Sequence, residues 1–485
     1  MRAPVRSAQA TGTVAASRAT RPFRWFTPLL AVLLGGYMFF GRPFAYLSLP
    51  GAPAYIGDMV LAVGVVEAVR ARSAIRAALA ASPPLKFLLA FMVLCGLRFL
   101  VGFPTYGLDA VRDSAIWYYA IFAFLVAGAA VCDPTFTPRL LGWYRRIIPV
   151  LLVWSPIAVV LSRMQPLGFV PGTVTAINGF VPGDIALHTA IAIAFLWLGL
   201  DRAVRRSPSQ PSSQLLVPLG LVGFLAAGSQ NRGGFLAGLC VLGVVLCCMR
   251  SGGRRRALVS GACSLAVVTL LALLLEVRIP LKDRELSLQQ IGANLTSVLD
   301  PDSSDASDSG NLQGNVDWRL QYWDAVKQDA LSPSYILNGR GFGPILAFEY
   351  GIDAPREDGT APLRSAHNTH LTILARTGLP GAALWALLWL VWFRHVVRWG
   401  VRGVRGGRGG WTASAALSAL VLAAVVGYLV NTYFDPALDG PKGAIWIWSL
   451  MALGAACAAK SRSAELNNRV ASHGGRPSKL ARPTR

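Results

Sequence analysis

Residues 365–393 read SAHNTHLTILARTGLPGAALWALLWLVWF, a short polar segment that runs directly into an uncharged apolar stretch. The apolar stretch begins near Leu379 and has the composition of a helix that crosses a membrane. The polar segment carries His367, Asn368 and His370. It therefore places titratable and hydrogen-bonding side chains at a membrane surface, at the start of a buried helix.

The rest of the chain repeats the apolar pattern. Of its 485 residues, 54% are hydrophobic and 14% are charged, and the mean hydropathy is +0.48, whereas soluble domains carry about 25% charged residues. Apolar runs of roughly 16 to 21 residues predict about twelve spans. Their predicted centres lie near residues 33, 62, 94, 123, 155, 191, 222, 241, 267, 382, 421 and 451. We predict an all-α integral membrane protein with one large extracytoplasmic loop subdomain.

The predicted segments follow from where the apolar runs stop. Residues 1–25 form a basic cytoplasmic N-terminus, and residues 26–277 hold transmembrane helices 1–9. Residues 278–370 form the large extracytoplasmic loop with amphipathic helices, and residues 371–460 hold helices 10–12. Residues 461–485 are predicted to be a basic, disordered cytoplasmic tail.

The distribution of Lys and Arg predicts the orientation. Arginine clusters alternate with nearly uncharged loops along the predicted spans, and this asymmetry places both termini in the cytoplasm of a multi-pass protein of the cytoplasmic (inner) membrane. The net charge of +22 is then mostly topological and faces anionic membrane lipids. No nucleic-acid partner is predicted, because the one large hydrophilic segment is mildly acidic.

Three parts of the long loop have distinct patterns. Residues 300–310 are acidic and of low complexity, which predicts mobility. Residues 317–326 space large side chains three to four apart, which fits an amphipathic helix lying on the membrane. Residues 338–343 form a glycine-rich turn, which lets the backbone approach another element closely.

Three arginines could bind an anionic group on the extracytoplasmic side. Arg232 lies at the tip of the hairpin between predicted helices 7 and 8, where guanidinium and helix N–H groups can hold phosphate. Arg319, with Trp323 four residues on, could point at a ligand, and Arg340 lies between two glycines of the loop. The alternative for Arg232 and Arg319 is anchoring in lipid headgroups.

His367 is the candidate base, because an imidazole accepts a proton near neutral pH. Asn368 could orient it, cap the helix that begins at Thr369, or do both. His370, one turn further on, is of second rank. Asp435 and Asp439, in the last outer loop, could neutralise a base or bind a hydroxyl.

Other charged residues are expected to be structural. Asp109 and Asp113 bracket Arg112, which predicts a local ion pair. Arg98 lies near the outer end of the third span and is expected to extend to the headgroups. No motif of metal-site spacing is found, so neither a metal nor another cofactor is predicted.

Three motifs together resemble the O-antigen ligase / O-antigen polymerase superfamily of bacterial envelope membrane proteins. They are Ser229-x-x-Arg232-Gly, then Arg319-x-x-x-Trp323 with Gly339-Arg-Gly-Phe-Gly343, then His367-Asn368-x-x-Leu371-x-x-Leu374-x-x-x-Gly378-x-x-Gly381. The resemblance is best over residues 220–385. Relatives often have glutamate before the first glycine of the last motif, where this chain has Arg376-Thr377.

The resemblance implies a metal-independent, inverting transfer of a glycan from undecaprenyl diphosphate to an acceptor hydroxyl at an extracytoplasmic site. Arg232 and Arg319 would bind the diphosphate, His367 would be the catalytic base, and Asn368, Arg340, His370 and Trp323 would support them. The acceptor could be a lipid, a glycan or a protein, so ligase, polymerase and protein O-glycosyltransferase stay open. The alternative is a transporter or a flippase of lipid-linked oligosaccharides without transfer chemistry.

Overall fold

The computed structural model describes residues 22–48, 54–203, 213–276, 278–280, 285–287, 289–292, 309–353, 363–402 and 412–474. Within these ranges the fold is helical, apart from one antiparallel pair of short strands, β1 (Ile279–Pro280) and β2 (Glu285–Leu286). The all-α prediction is therefore confirmed. Residues 1–21, the acidic stretch 300–308 and the tail from residue 475 lie outside the described residues.

Most of the helices follow one another with short connections, whereas longer segments separate Ser162 from Pro182 and Leu274 from Ser309. The first part of the chain forms α1 (Phe26–Ala45), α2 (Ile56–Arg70), α3 (Arg72–Ala81), α4 (Pro83–Tyr106), α5 (Leu108–Asp113), α6 (Ala115–Tyr118), α7 (Ile121–Cys132), α8 (Phe136–Ser162), α9 (Pro182–Trp197) and α10 (Leu200–Ala203). A 3-10 turn (Ser213–Leu216) leads to α11 (Val217–Gln230), α12 (Arg232–Cys248), α13 (Ser251–Leu274), α14 (Ser309–Ala330), α15 (Leu346–Glu349), α16 (Thr369–His395), the π-helical segment Val396–Arg402, α17 (Ala413–Phe434) and α18 (Pro441–Gly474).

Every predicted span centre lies inside one of these helices. Among the described residues, eight helices are long and apolar enough to cross a membrane. The helices α2, α9, α11 and α12 are apolar but shorter, with 15, 16, 14 and 17 residues. A membrane protein with many apolar helices is thus confirmed, while the count of twelve spans stays a prediction.

Side-chain caps set the starts of two helices that carry candidate residues. The Oδ1 atom of Asn231 accepts a hydrogen bond of 2.7 Å from the backbone N–H of Gly234, and α12 begins directly after it. The Oδ1 atom of Asn368 accepts one of 3.1 Å from Leu371 N–H at the start of α16. Each cap satisfies a donor that the first helical turn leaves unpaired.

The centre of the bundle is formed by α9, α11, α12, α17 and α18. The apolar windows of α17 and α18 are 72% and 78% buried within the protein, whereas that of α13 is 11% buried. The helices α9 and α12 cross at Gly183 and Gly234, where a Cβ on Gly234 would lie 2.2 Å from the Gly183 Cα. Small residues allow such close backbone contact between membrane helices.

The helix α14 belongs to the long loop, and its apolar face packs against other parts of that loop. Tyr322, Trp323 and Val326 form a small core with Leu346 and Ala347. The predicted amphipathic helix therefore exists, but these side chains pack on protein. The prediction that the helix lies on the membrane does not hold for this face, because the loop folds back and covers it.

The glycine-rich turn approaches the start of α16, as its composition predicts. Gly339 (φ +59°) and Gly378 (φ +66°) both have left-handed backbone conformations. A Cβ on Gly339 would lie 2.5 Å from the carbonyl carbon of Arg376. The N–H of Leu379 donates a hydrogen bond of 2.7 Å to the Ile336 carbonyl across the same contact. Only glycine combines this conformation with this proximity.

Asp113 does not pair with Arg112, which corrects the prediction of a local ion pair. Its Oδ1 lies 2.9 Å from Arg364 Nε and its Oδ2 lies 3.0 Å from Arg376 Nη2. The carboxyl group is 4% exposed, and an ion pair that is removed from water needs partners on several sides. The two arginines provide them and fasten the loop to the end of α5.

Arg98 is a second contact between the bundle and the loop. It donates hydrogen bonds of 3.3 Å to the Asn338 side chain and to the Gly339 carbonyl. The expectation that it extends to lipid headgroups is therefore wrong. The loop carries the oxygen acceptors that its guanidinium contacts.

Candidate functional site

The long loop sits over one end of the bundle, which we call the loop end. The turn between α11 and α12, the end of α17 and the start of α16 meet there, and α14 covers them. The start of α9 and the start of α18 join them through the ion pair between Asp184 and Lys442. Helix ends that are far apart in the chain thereby surround one polar region.

Arg319 on α14 points at the end of α17. Its Nη1 donates a hydrogen bond of 3.1 Å to the backbone carbonyl of Phe434, the last residue of that helix. Its Nε is buried and has no hydrogen-bond partner. A buried charged donor without a partner is costly, and in native proteins it calls for a specific explanation such as a ligand.

Arg232 is the first residue of α12 and lies beside the same element. A Cβ on the neighbouring Gly233 would lie 2.7 Å from the Phe434 Cβ, so the α11–α12 turn packs directly on the end of α17. Arg319 contacts the carbonyl of Phe434 and Gly233 contacts its side chain. The hairpin that carries Arg232 and the guanidinium of Arg319 therefore both contact Phe434.

His367 lies just before the Asn368 cap in a left-handed conformation (φ +50°), which is uncommon outside glycine. Its ring contacts Trp318 edge-on, with 5.8 Å between ring centroids. Its Nδ1 is buried and has no hydrogen-bond partner. Burial lowers the pKa of His367 to about 4, and the positive charge of Arg319 contributes to this shift. The imidazole is therefore neutral at pH 7 and close to the Arg319 charge.

Asn368 and His370, the polar side chains that follow His367, both form hydrogen bonds within the protein. Asn368 is 1% exposed and caps α16. His370 accepts a hydrogen bond of 3.0 Å at Nδ1 from the Trp385 indole, and its Nε2 lies 3.2 Å from the Leu429 carbonyl. Because both ring nitrogens have partners, His370 ties α16 to α17 as a neutral imidazole.

Trp323 and Arg340 form hydrogen bonds within the loop. The indole N–H of Trp323 donates a hydrogen bond of 2.9 Å to the Ala366 carbonyl, next to His367. Arg340 donates two hydrogen bonds, of 2.9 and 2.8 Å, to the carboxylate of Asp329 and a further one to Glu349. The two carboxylates neutralise Arg340, so the structure places it in a loop-internal cluster away from Phe434.

Two partly buried Asp side chains, those of Asp435 and Asp439, follow α17. Burial raises the pKa of Asp435 to about 6, although the positive charges of Lys442 and Arg319 oppose the shift. Burial also raises the pKa of Asp439 to about 6, against a hydrogen bond from Ser365. Asp435 therefore shares the electrostatic environment of Arg319, while Asp439 lies on the side of the loop that Arg376 and Asp113 occupy.

The loop end combines a half-buried guanidinium and a half-buried imidazole, each with a buried nitrogen that has no hydrogen-bond partner. Such a pair can bind an anionic group and accept a proton beside it. In the part of the chain that the structure describes, no three His, Cys, Asp or Glu side chains lie close enough to hold a metal ion.

Comparison with known proteins finds one similarity, in the part of the chain that holds the candidate residues. Residues 215–386 match the Wzy_C family model, described as O-Antigen ligase. The match confirms the predicted resemblance to the O-antigen ligase/polymerase superfamily, whose members are membrane enzymes of glycosyl transfer. It includes Arg232, Arg319 and His367. A search of curated proteins gave no match.

Proposed function

We propose that this protein transfers a glycan from undecaprenyl diphosphate to an acceptor hydroxyl at the loop end. One observation carries the proposal: the Arg319 Nε and the His367 Nδ1 are both buried without partners, and the charge of Arg319 acts on His367. A guanidinium and a base placed together match the two needs of the reaction. One stabilises the diphosphate, and the other takes the proton of the hydroxyl.

The reaction proceeds as a single displacement. The acceptor oxygen attacks the anomeric carbon as its proton passes to His367 Nδ1, and the bond from that carbon to the diphosphate oxygen breaks. The electron pair leaves with the diphosphate, which Arg319 and Arg232 hold. Attack opposite the leaving group inverts the anomeric centre. The protein's own cations hold the diphosphate, so the transfer proceeds without a metal ion.

The low pKa of His367 belongs to the ligand-free site. A bound diphosphate brings negative charge beside Arg319 and cancels the positive field that acts on His367. The part of the pKa shift that Arg319 causes is then relieved, which raises the pKa of the imidazole and makes it a stronger base. Substrate binding therefore activates the base, and the left-handed backbone of His367 holds the ring in place for it.

The distribution of charge supports an extracytoplasmic position for the loop end. At the other end of the bundle, Arg398 and Arg462 both lie over the ring of Trp399, with 4.8 and 5.8 Å from Cζ to the ring centroid. Arg254 and Arg256 follow the start of α13 there. Arginines accumulate on the cytoplasmic side of membrane proteins, so the active site faces outward from the cytoplasmic membrane, where the lipid-linked glycan is used.

Reconstituted transfer tests the proposal. The full-length protein in lipid nanodiscs is supplied with a synthetic undecaprenyl diphosphate glycan and hydroxyl acceptors of three kinds: a lipid A core, a second glycan and a serine peptide. We expect a glycosylated product from one acceptor, and a loss of about 10²–10⁴-fold in kcat for His367→Ala. His473→Ala, at the far end of α18, is the matched control.

Two outcomes would contradict the proposal. Equal rates of transfer by the wild type and His367→Ala would show that His367 is not the catalytic base. Movement of the lipid-linked glycan across the bilayer without any product from the three acceptors would favour the transporter or flippase alternative.

A further inference from the structure

A cleft at the end of the bundle opposite the loop gathers positive charge. It encloses about 420 Å³ beside Pro83, the first residue of α4, and is lined by Arg394, Arg398 and Arg462. These arginines come from the end of α16, the π-helical segment and α18. Three guanidinium groups around one cleft repel one another, and a bound anion relieves that repulsion.

Trp399 holds two of the arginines in place. The Cζ of Arg398 lies 4.8 Å from the centroid of the Trp399 ring, and that of Arg462 lies 5.8 Å from it. Stacking on an aromatic face orients a guanidinium and leaves the N–H groups at its edge available. Those groups match the geometry of phosphate oxygens.

His395 gives an independent indication of a ligand. It lines the same cleft, is 6% exposed, and its Nε2 is buried without a hydrogen-bond partner. Because the other ring nitrogen bonds the Ala455 carbonyl, Nε2 can donate to an anion in the cleft when the ring is protonated, so the anion and the proton bind together.

The surface beside the cleft fits a lipid rather than a free anion. Lys86 lies one helical turn along α4 from Pro83, and an apolar groove of about 810 Å³ opens there between α3 and α4. Leu89 and Val93 line it, together with the cations of Arg76 and Lys86. Cations at the edge of an apolar groove suit a phosphate headgroup with an acyl chain.

We propose that the cleft of Arg394, Arg398 and Arg462 binds the phosphate of an anionic phospholipid, in the leaflet opposite the candidate active site. Basic pockets between membrane helices bind such headgroups, and each cation near the surface contributes about 1 kcal/mol. Lipid binding in this cleft does not depend on glycan transfer, because the cleft is separate from the loop end.

Native mass spectrometry of the full-length protein tests the proposal. The protein is titrated with dioleoyl phosphatidylglycerol, with dioleoyl phosphatidylcholine as the neutral lipid and inorganic phosphate as the free anion. We expect specific retention of phosphatidylglycerol, and a loss of more than about tenfold in its affinity for the variant R394Q/R398Q/R462Q. The variant R394K/R398K/R462K keeps the charge and is expected to retain most of the binding.

A matched control removes the same charge elsewhere at that end. R254Q/R255Q/R256Q at the start of α13 is expected to change phosphatidylglycerol affinity less than about twofold. Equal losses in both glutamine variants would reduce the effect to general surface charge and overturn the proposal. Equal retention of the two lipids, or displacement of phosphatidylglycerol by millimolar phosphate, would do the same. Circular dichroism in phosphatidylcholine nanodiscs establishes that each variant is folded.

Discussion

The Oδ2 atom of Asp113 lies 3.0 Å from the Nη2 atom of Arg376, and the two side chains are 4% and 3% exposed. The pair joins the segment before α6 to the first turns of α16. Arg376 also donates hydrogen bonds to the carbonyls of Gly341 and Arg364. One buried guanidinium thus connects three parts of the loop end.

We predict that Asp113→Ala lowers the free energy of unfolding by about 3–5 kcal/mol, because it leaves the buried Arg376 without its carboxylate and Arg364 with Asp109 alone. The control is Asp324→Ala, whose partner Lys327 is 51% exposed; it is expected to cost less than about 1 kcal/mol. Reversible unfolding in mixed detergent measures both. Similar values for the two variants would contradict a buried role for Asp113.

A second prediction separates folding from catalysis at His367. Because its φ is +50°, His367→Gly is expected to be more stable than His367→Ala by about 1 kcal/mol. Both variants are expected to lose about 10²–10⁴-fold in transfer, since neither has a base. Thermal unfolding and product formation are measured on the same samples. An active glycine variant would exclude the imidazole from the reaction.

The third prediction concerns Arg319 and pH. A neutral base is required, so kcat/KM falls as the pH drops through the His367 pKa of the free enzyme, which burial and Arg319 lower to about 4. Arg319→Gln removes the positive charge and is expected to raise that pKa, moving the acidic limb to higher pH. It also lowers kcat by about 10²–10³-fold, because the diphosphate loses a donor.

The matched control for Arg319 is Lys327→Gln on the same helix, which removes an exposed positive charge that pairs with Asp324. Its pH profile of transfer is expected to overlay that of the wild type. An acidic limb that stays in place in Arg319→Gln would show that the guanidinium does not act on the base.

The fourth prediction concerns the raised pKa of the partly buried Asp439. Burial raises its pKa from 3.8 to about 6, so the folded state binds more protons than the unfolded state between these values. The wild type therefore loses stability from this group as the pH rises through that window. Asp439→Asn does not titrate, and we expect its stability relative to wild type to increase by about 2–3 kcal/mol between pH 4 and 6. A difference in stability between the two proteins that stays constant from pH 4 to 6 would show that the pKa of Asp439 is not raised.

Periodicity of apolar residues was sufficient to locate the membrane helices, because burial in lipid is decided by local composition. The glycines at 339 and 378 were also informative, since a left-handed backbone with close contact restricts the residue type. The positions of Arg319 and His367 near each other could be expected only from the family motifs. Spacing along the chain does not encode that proximity.

Pairing over long distances could not be derived from the sequence. Asp113 and Arg364 are 251 residues apart, and the nearer Arg112 was the natural partner by position. The sequence ranks His367 above His370 only by its place beside the predicted helix start and by the family motif. The structure separates them, because a tryptophan and a backbone carbonyl occupy both nitrogens of His370, while His367 Nδ1 has no partner.

The contact of Gly339 with the Gly378 kink has a mechanical consequence. The N–H of Gly341 donates to the Arg376 carbonyl and the N–H of Leu379 donates to the Ile336 carbonyl, so loop and helix hold each other's backbone. These two hydrogen bonds couple the turn of residues 338–343 to the bend of α16. If the protein transfers glycans as proposed, we expect a lipid-linked chain to enter from the side of the bundle, where it leaves this backbone contact intact.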